Sequence, residues 1–257
     1  MRTFAAVLSI VTVLSVAHAK PVQPPKKEEP KPAAAFKPVD INNDLTEQDP
    51  KDPKLGNPAK QYTVKLLKDR TYILDLVTKD FDAYLRLLDK AGNQLAEDDD
   101  SGGDLNSRII QSIDKDGDYQ IVATSFDGQV GKFNLKVREF ILKAEAKARD
   151  VGKDGIAITD QINQNSISDL GKLGKLFSVN LKAGVTYTID LESATMDSYF
   201  YLFDGKSKLL AHDDDSGGDL NSRIVYRAER DGVFHIIASS LGGDETGEFT
   251  LKVRAGQ

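Results

Sequence analysis

The stretch Asp-Asp-Asp-Ser-Gly-Gly-Asp-Leu-Asn-Ser-Arg-Ile at Asp98 to Ile109 returns unchanged at Asp213 to Ile224, an offset of 115 residues in a chain of 257. An offset of that size marks one domain-sized unit written twice. Sequence outside the repeat differs between the copies but keeps its apolar pattern. The chain is therefore expected to fold as two like domains, each with its own core.

The pattern within each copy is strand alternation. Tyr62, Val64 and Leu66 fall on one side of a strand, as do Tyr72, Leu74 and Leu76 after a turn at Leu67 to Arg70. Their counterparts are Phe177, Val179 and Leu181, then Tyr187, Ile189 and Leu191. Phe81 to Leu88 places Phe81, Ala83, Leu85 and Leu87 on one face and Asp82, Tyr84, Arg86 and Leu88 on the other, which predicts a central strand. Asp89 to Asn93 reads as a turn and Ile109 to Ile113 as a strand. Asp116-Gly117 and Asp231-Gly232 read as tight hairpin turns, where glycine accepts positive φ. Tyr119, Ile121 and Ala123, then Phe133, Leu135 and Val137, close copy one, and Phe249, Leu251 and Val253 close copy two. Lys143 to Arg149 fits either a short helix or a strand extension. Seven or eight short strands per copy, without crossover helices, predict an all-β protein of two tandem antiparallel β-sandwiches.

The ends carry other signals. Arg2, an apolar run from Phe4 to Val16 and Ala17-His18-Ala19 have the order of a signal peptide cleaved after Ala19. No later segment is apolar enough to span a bilayer, which needs roughly 20 residues. Residues 20–58 hold all nine prolines and read as an extended tether. The expected division is a signal peptide at 1–19, a disordered linker at 20–39, one sandwich at 40–139 and a second at 140–257. A secreted or periplasmic, monomeric protein follows. Zero cysteines exclude disulfides and cysteine-ligated zinc. A formal charge of −6 argues against nucleic acid as a partner.

The succession Tyr72-Ile73-Leu74-Asp75-Leu76, Phe81-Asp82-Ala83-Tyr84-Leu85-Arg86-Leu87, Leu95 to Asp100, Gly117-Asp118-Tyr119-Gln120-Ile121 and Gly131-Lys132-Phe133-Asn134-Leu135 resembles the bacterial pre-peptidase C-terminal domain family. Copy two repeats it from Tyr187 to Leu251. The resemblance implies a jelly-roll-like sandwich of the kind appended to secreted enzymes and related to calcium-dependent collagen-binding domains. No peptidase precedes the two copies here, so the resemblance points to a free-standing binding protein.

Two readings of the repeated loop stand side by side. Hard cations such as Ca²⁺ take six to eight oxygen ligands, and Asp98, Asp99, Asp100, Asp104 and Asn106 supply oxygens on one loop, with Asp82 as the non-local contributor. The matching set is Asp213, Asp214, Asp215, Asp219, Asn221 and Asp197. The loop is no EF-hand, because Ile109 stands where that motif needs a bidentate Glu. The other reading is a turn, since Asp, Ser, Gly and Asn also serve turns through side-chain to backbone hydrogen bonds. In that case Arg108 and Arg223 neutralise the loops, and Arg108 is also an alternative partner for Asp82.

Catalysis has little support. His212 and His235 are matched by Glu97 and Gln120, so a histidine mechanism exists in one copy at most. Ser101 and Ser216 have no base partner in the sequence pattern. Most of Tyr62, Tyr72, Tyr84, Tyr119, Phe133, Tyr187, Tyr199 and Phe249 are expected in the core, with Tyr201 and Tyr226 on an exposed face. The sequence thus reads as an exported, non-catalytic binding protein for extracellular protein or polysaccharide. The alternatives are a structural or accessory module without a specific ligand and, last, a hydrolase.

Overall fold

The computed structural model describes residues 36–143 and 145–256. The expected signal peptide, and residues 20–35 of the expected linker, lie outside the described residues. Eight strands form the first sandwich: β1 (Val39–Leu45), β2 (Ala59–Leu66), β3 (Arg70–Thr78), β4 (Ala83–Leu88), β5 (Gln94–Asp98), β6 (Ser107–Ile113), β7 (Gly117–Ser125) and β8 (Gly131–Phe140). They make two antiparallel sheets, β1-β8-β3-β6 and β2-β7-β4-β5. That order is an eight-stranded jelly roll, in which successive strands alternate between the sheets until β4 and β5 pair as a hairpin.

A short strand, β9 (Ala148–Asp150), follows. The second sandwich then comprises β10 (Ile156–Ile162), β11 (Lys175–Leu181), β12 (Thr186–Glu192), β13 (Ser198–Asp204), β14 (Leu209–Asp213), β15 (Ser222–Arg227), β16 (Gly232–Ser240) and β17 (Gly247–Ala255). Its sheets, β10-β17-β12-β15 and β14-β13-β16-β11, repeat the first topology strand for strand. β9 adds to the second sheet in parallel with β11, pairing Ala148 with Ser178 and Asp150 with Asn180.

Each sandwich closes over its own cluster of inward residues, as the alternation predicts. Leu74, Leu76, Leu85, Leu87, Ile121 and Leu135 are sealed in the first, and Ile189, Leu191, Phe200, Leu202, Ile236 and Leu251 in the second. β4 lies between β7 and β5, the central placement expected of it.

Two expectations are corrected, one open reading is decided and one general reading gains two exceptions. The Pro-rich stretch is not a tether throughout, because Val39–Leu45 pairs along β8 and Asp52 is buried against Arg86. Asp116-Gly117 and Asp231-Gly232 do not turn hairpins: β6 and β7, like β15 and β16, belong to opposite sheets, and the chain crosses between them. Lys143 to Arg149 forms no helix in its described residues; only its end enters β9. Tyr84 and Tyr199 lie outside the cores, on the outward faces of β4 and β13, beside Glu97 and His212 respectively.

The two sandwiches also share a third cluster. Ile73 of β3 and Phe140 of β8 meet Leu170, Phe203 of β13, Leu209 of β14 and Ile237 of β16, all buried. The outer face of β1-β8-β3-β6 thus packs on the outer face of β14-β13-β16-β11, so four sheets lie in layers. Polar ties surround the apolar contact: Thr71 Oγ1 donates to Ser207 O at 2.8 Å and accepts from Leu209 N at 2.8 Å, and Ser112 Oγ donates to Leu209 O at 2.8 Å. These bonds satisfy buried groups that would otherwise cost about 1–3 kcal/mol each.

Candidate functional site

The repeated loop joins β5 to β6 and β14 to β15, and it has one conformation in both copies. Asp98 Oδ2 accepts from Ser101 N at 3.1 Å and Arg108 N at 2.7 Å; Asp213 Oδ2 accepts from Ser216 N and Arg223 N at the same distances. Asp99 Oδ1 and Asp214 Oδ1 accept from the next backbone N–H, at 3.0 and 2.9 Å. Asn106 Nδ2 donates to Gly103 O while its Oδ1 accepts from Thr78 N at 2.8 Å, and Asn221 repeats this with Gly218 O and Ser193 N. Asp104 and Asp219 take φ of 53° and 55°, a left-handed conformation that aspartate tolerates better than most residues. Gly102 and Gly217 leave no room for a side chain: a Cβ on either would lie 2.3 or 2.6 Å from the carbonyl oxygen of Asn106 or Asn221. Asp98, Asp99, Gly102, Gly103, Asp104 and Asn106, with their counterparts in copy two, therefore each have a task in the turn itself.

The arginines act outside the loop. Arg108 Nε donates to Asp75 on β3 and Arg223 Nε to Asp190 on β12, both at 2.5 Å. Neither neutralises the loop carboxylates, and Asp82 is not the partner of Arg108. Asp82 instead lies in the field of Asp127, Asp99 and Asp100; burial first, and those like charges second, hold its carboxyl above the usual range. Asp197 is raised in the same way by burial and by Glu245, Asp214 and Asp215. Of the twelve acidic and amide residues singled out in the sequence, the structure thus brings Asp82 near Asp99 and Asp100, and Asp197 near Asp214 and Asp215. Asp98, Asp213, Asn106 and Asn221 are engaged in the turns. Among the described residues no three His, Cys, Asp or Glu side chains are placed to hold a metal ion.

The two loops differ in their surroundings. In copy one the loop is pressed against the second sandwich: Lys172 Nζ donates to Ser101 O, and Arg108 Nη1 donates to Leu170 O at 3.2 Å. Burial raises the Asp98 carboxyl and depresses the Lys172 amine. In copy two Ser216, the counterpart of Ser101, is exposed, whereas Asp100, Asp104 and Leu105 are exposed as their counterparts Asp215, Asp219 and Leu220 are.

Where the first loop meets the second sandwich, a cavity of about 120 Å³ opens between Asp98, Arg108, Gln111, Tyr199, Tyr201 and His212. Tyr199 and His212 are nearly parallel, 13° between planes, with the Tyr199 hydroxyl 2.7 Å from His212 Nδ1. Tyr201 packs against Tyr199 with ring centroids 4.9 Å apart, so it lies between the sandwiches and not on an exposed face. Burial pushes the Tyr201 phenol up to about 12 and raises Tyr199 further, while it lowers the His212 imidazole. Tyr226, also expected on an exposed face, is half-buried against Phe234.

A second hydroxyl–imidazole pair, like Tyr199–His212, escaped the sequence reading. Ser178 Oγ lies 2.8 Å from His235 Nδ1, across the β11–β16 ladder. Only strand register brings these residues together, 57 positions apart. Ser178 is 2% exposed, which denies a substrate access to its hydroxyl. No helix among the described residues is long and apolar enough to cross a membrane.

Several solved structures align with most of the chain at low superposition quality. The CUB1-EGF-CUB2 domains of human MASP-1/3 share 11% identity, covering 84% of this chain and 99% of that one, with a TM-score of 0.28. The tandem CBM22-1-CBM22-2 domains of Paenibacillus barcinonensis Xyn10C share 11%, covering 88% and 99%, with a TM-score of 0.25. Likenesses at this level carry no argument about function. No curated protein matches the chain. The second sandwich gives the one specific result: from β11 to β17, residues 174–255, it matches the family profile of the bacterial pre-peptidase C-terminal domain.

Proposed function

We propose that this is an exported, non-catalytic binding protein whose paired sandwiches recognise extracellular protein or polysaccharide. The observation that carries the reading is the match of residues 174–255 to the pre-peptidase C-terminal domain, on a jelly roll that occurs here twice. The side-chain chemistry supports it. The serine of the Ser178–His235 pair is sealed, and the Tyr199–His212 pair offers no activated nucleophile. The test is co-sedimentation of the protein with insoluble cell-wall polysaccharide and with fibrous matrix protein, alongside turnover assays on ester, peptide and glycoside panels. Retention without turnover is expected. Turnover on any panel, or no retention on either material, overturns the reading.

Calcium belongs to the same proposal. The repeated loop carboxylates at Asp99, Asp100 and Asp82, and at Asp214, Asp215 and Asp197, repel one another, and a divalent cation between them would relieve that repulsion. Binding requires side-chain movement, because these groups do not converge on a point as they stand. A site that binds only the folded state raises stability by about 2.7 kcal/mol at a hundredfold excess over Kd. The melting temperature is therefore expected to rise by several degrees in millimolar Ca²⁺ relative to EDTA. An unchanged melt means that the loops act as turns alone.

A further inference from the structure

The cavity between the sandwiches exists only because the two copies are docked. One wall comes from the first sandwich, with Asp98, Arg108 and Gln111, and the other from β13 and β14 of the second, with Tyr199, Tyr201 and His212. The copies have diverged most tellingly here. In the first sandwich the same sheet face carries Arg86 where the second has Tyr201, and Glu97 where it has His212. That first face is filled by its own chain: Arg86 Nη1 donates to Asp52 at 2.5 Å, and Lys54 Nζ donates to the Tyr84 hydroxyl at 3.1 Å and to Glu97. In the second sandwich the corresponding positions hold aromatic rings that border open space.

The chemistry of the walls selects a class of ligand. Each charged group at the cavity already has a partner: Arg108 pairs with Asp75, Glu97 with Lys54, and Asp98 accepts two backbone N–H groups. These engagements leave no free cationic side chain on the walls, and the buried Asp98 carboxyl is committed to backbone N–H groups. What remains is a flat shelf of Tyr199 and His212, the phenol of Tyr201 and the side-chain carbonyl of Gln111, whose Nε2 donates to Ser112 O at 2.9 Å. An apolar aromatic surface beside groups that both donate and accept hydrogen bonds suits a molecule with a C–H face and a rim of hydroxyls. One water needs about 10–15 Å³ of such volume, so about 120 Å³ holds several waters or one small ring.

We infer that the cavity between the sandwiches is a binding site for a single uncharged sugar ring, presented by a glycan and held on the Tyr199–His212 shelf. The inference rests on the proposed binding function and narrows it to one ligand class. It places recognition at the seam of the two copies and not at their repeated loops.

The test uses the full chain and methyl glycosides of glucose, galactose, mannose and N-acetylglucosamine, with inorganic phosphate and tetramethylammonium as charged controls. Because the chain contains no Trp, emission comes from its eight tyrosines, of which Tyr199 and Tyr201 line the cavity, and calorimetry gives the stoichiometry. One glycoside is expected to bind with a stoichiometry of one. His212→Ala and Gln111→Ala are each expected to weaken it about tenfold, while Val225→Ala at an exposed position of β15 leaves it unchanged. Tyr199→Phe keeps the ring and removes only the hydroxyl, so binding weakened in this variant with an unaltered melt shows that the loss is not misfolding. The inference fails if no glycoside of the panel binds, if only phosphate or tetramethylammonium binds, or if His212→Ala and Gln111→Ala retain full affinity. Co-sedimentation of the same preparations separates the two ideas: retention on insoluble material without glycoside binding overturns the sugar site and leaves the binding function standing.

Discussion

Replacing Phe203 with alanine removes the ring at the centre of the contact between the sandwiches. Phe203 is fully buried in the shared cluster, and its centroid lies 5.0 Å from that of Phe140 on the opposite sandwich. Truncating a buried phenylalanine costs about 3–5 kcal/mol, the lost transfer energy plus the cavity left behind. The aromatic pair contributes about 0.5–1.5 kcal/mol of that beyond its buried area. For a folded body of this size about 2–4 °C of melting temperature accompanies each kcal/mol, so a fall of roughly 6–20 °C is expected. The residue lies on an outward sheet face, so the damage falls on the joint between the sandwiches and leaves each core closed. Calorimetry is therefore expected to show a lowered, broadened or split transition. Leu88 occupies the same position in the first sandwich but packs in a small cluster with Ala59 and Val122. Leu88→Ala is expected to lower stability without splitting the melt. A double-mutant cycle with Phe140→Ala isolates the pair. A loss below about 1 kcal/mol for Phe203→Ala, or no coupling to Phe140, refutes the role assigned to this contact.

Other predictions follow from the same structure. Residues 150–257 expressed alone are expected to melt cooperatively but well below the full chain, because Leu170, Phe203, Leu209 and Ile237 lose their cover; a molten fragment shows that the second core cannot stand without the first. Gly102→Ala is expected to destabilise more than Gly103→Ala, since a Cβ at Gly102 meets Asn106 O at 2.3 Å, whereas Gly103 has open space and only its positive φ to forfeit, about 1 kcal/mol; urea titration ranks the two. Burial raises the Asp98 carboxyl, so its contribution to stability is fully present below the ordinary carboxylate range and is lost as pH rises through the raised value. Asp98→Asn keeps an acceptor for Ser101 N and Arg108 N, and its stability relative to the parent chain is expected to improve as pH rises from 3 to 7; a difference that does not vary with pH removes the buried charge from the account.

The alternation of Tyr72, Leu74 and Leu76 and of Tyr187, Ile189 and Leu191 made the two cores legible without coordinates, because a strand's inward face is a local property with a period of two. The turn at Asp89 to Asn93 was legible for the same reason: Asp89 Oδ1 accepts from the N–H of Ala91 and Asn93 within a few residues. The duplicated topology followed from the repeat. What tertiary structure alone decided is how the outward faces are covered. Ile73 sits between Tyr72 and Leu74 and breaks the alternation, and nothing local says that it meets Phe203 and Ile237 across the seam. The same holds for Tyr199 and Tyr201, whose surroundings come from the loop of the other copy. The acidic repeat shows the limit most plainly. Its letters announced a special loop, but whether an aspartate accepts a backbone N–H, repels its neighbours or lies against a second domain depends on distances that only the folded chain sets. Local periodicity is encoded residue by residue, whereas the pairing of two faces is a sum of many weak contacts between segments far apart in the chain.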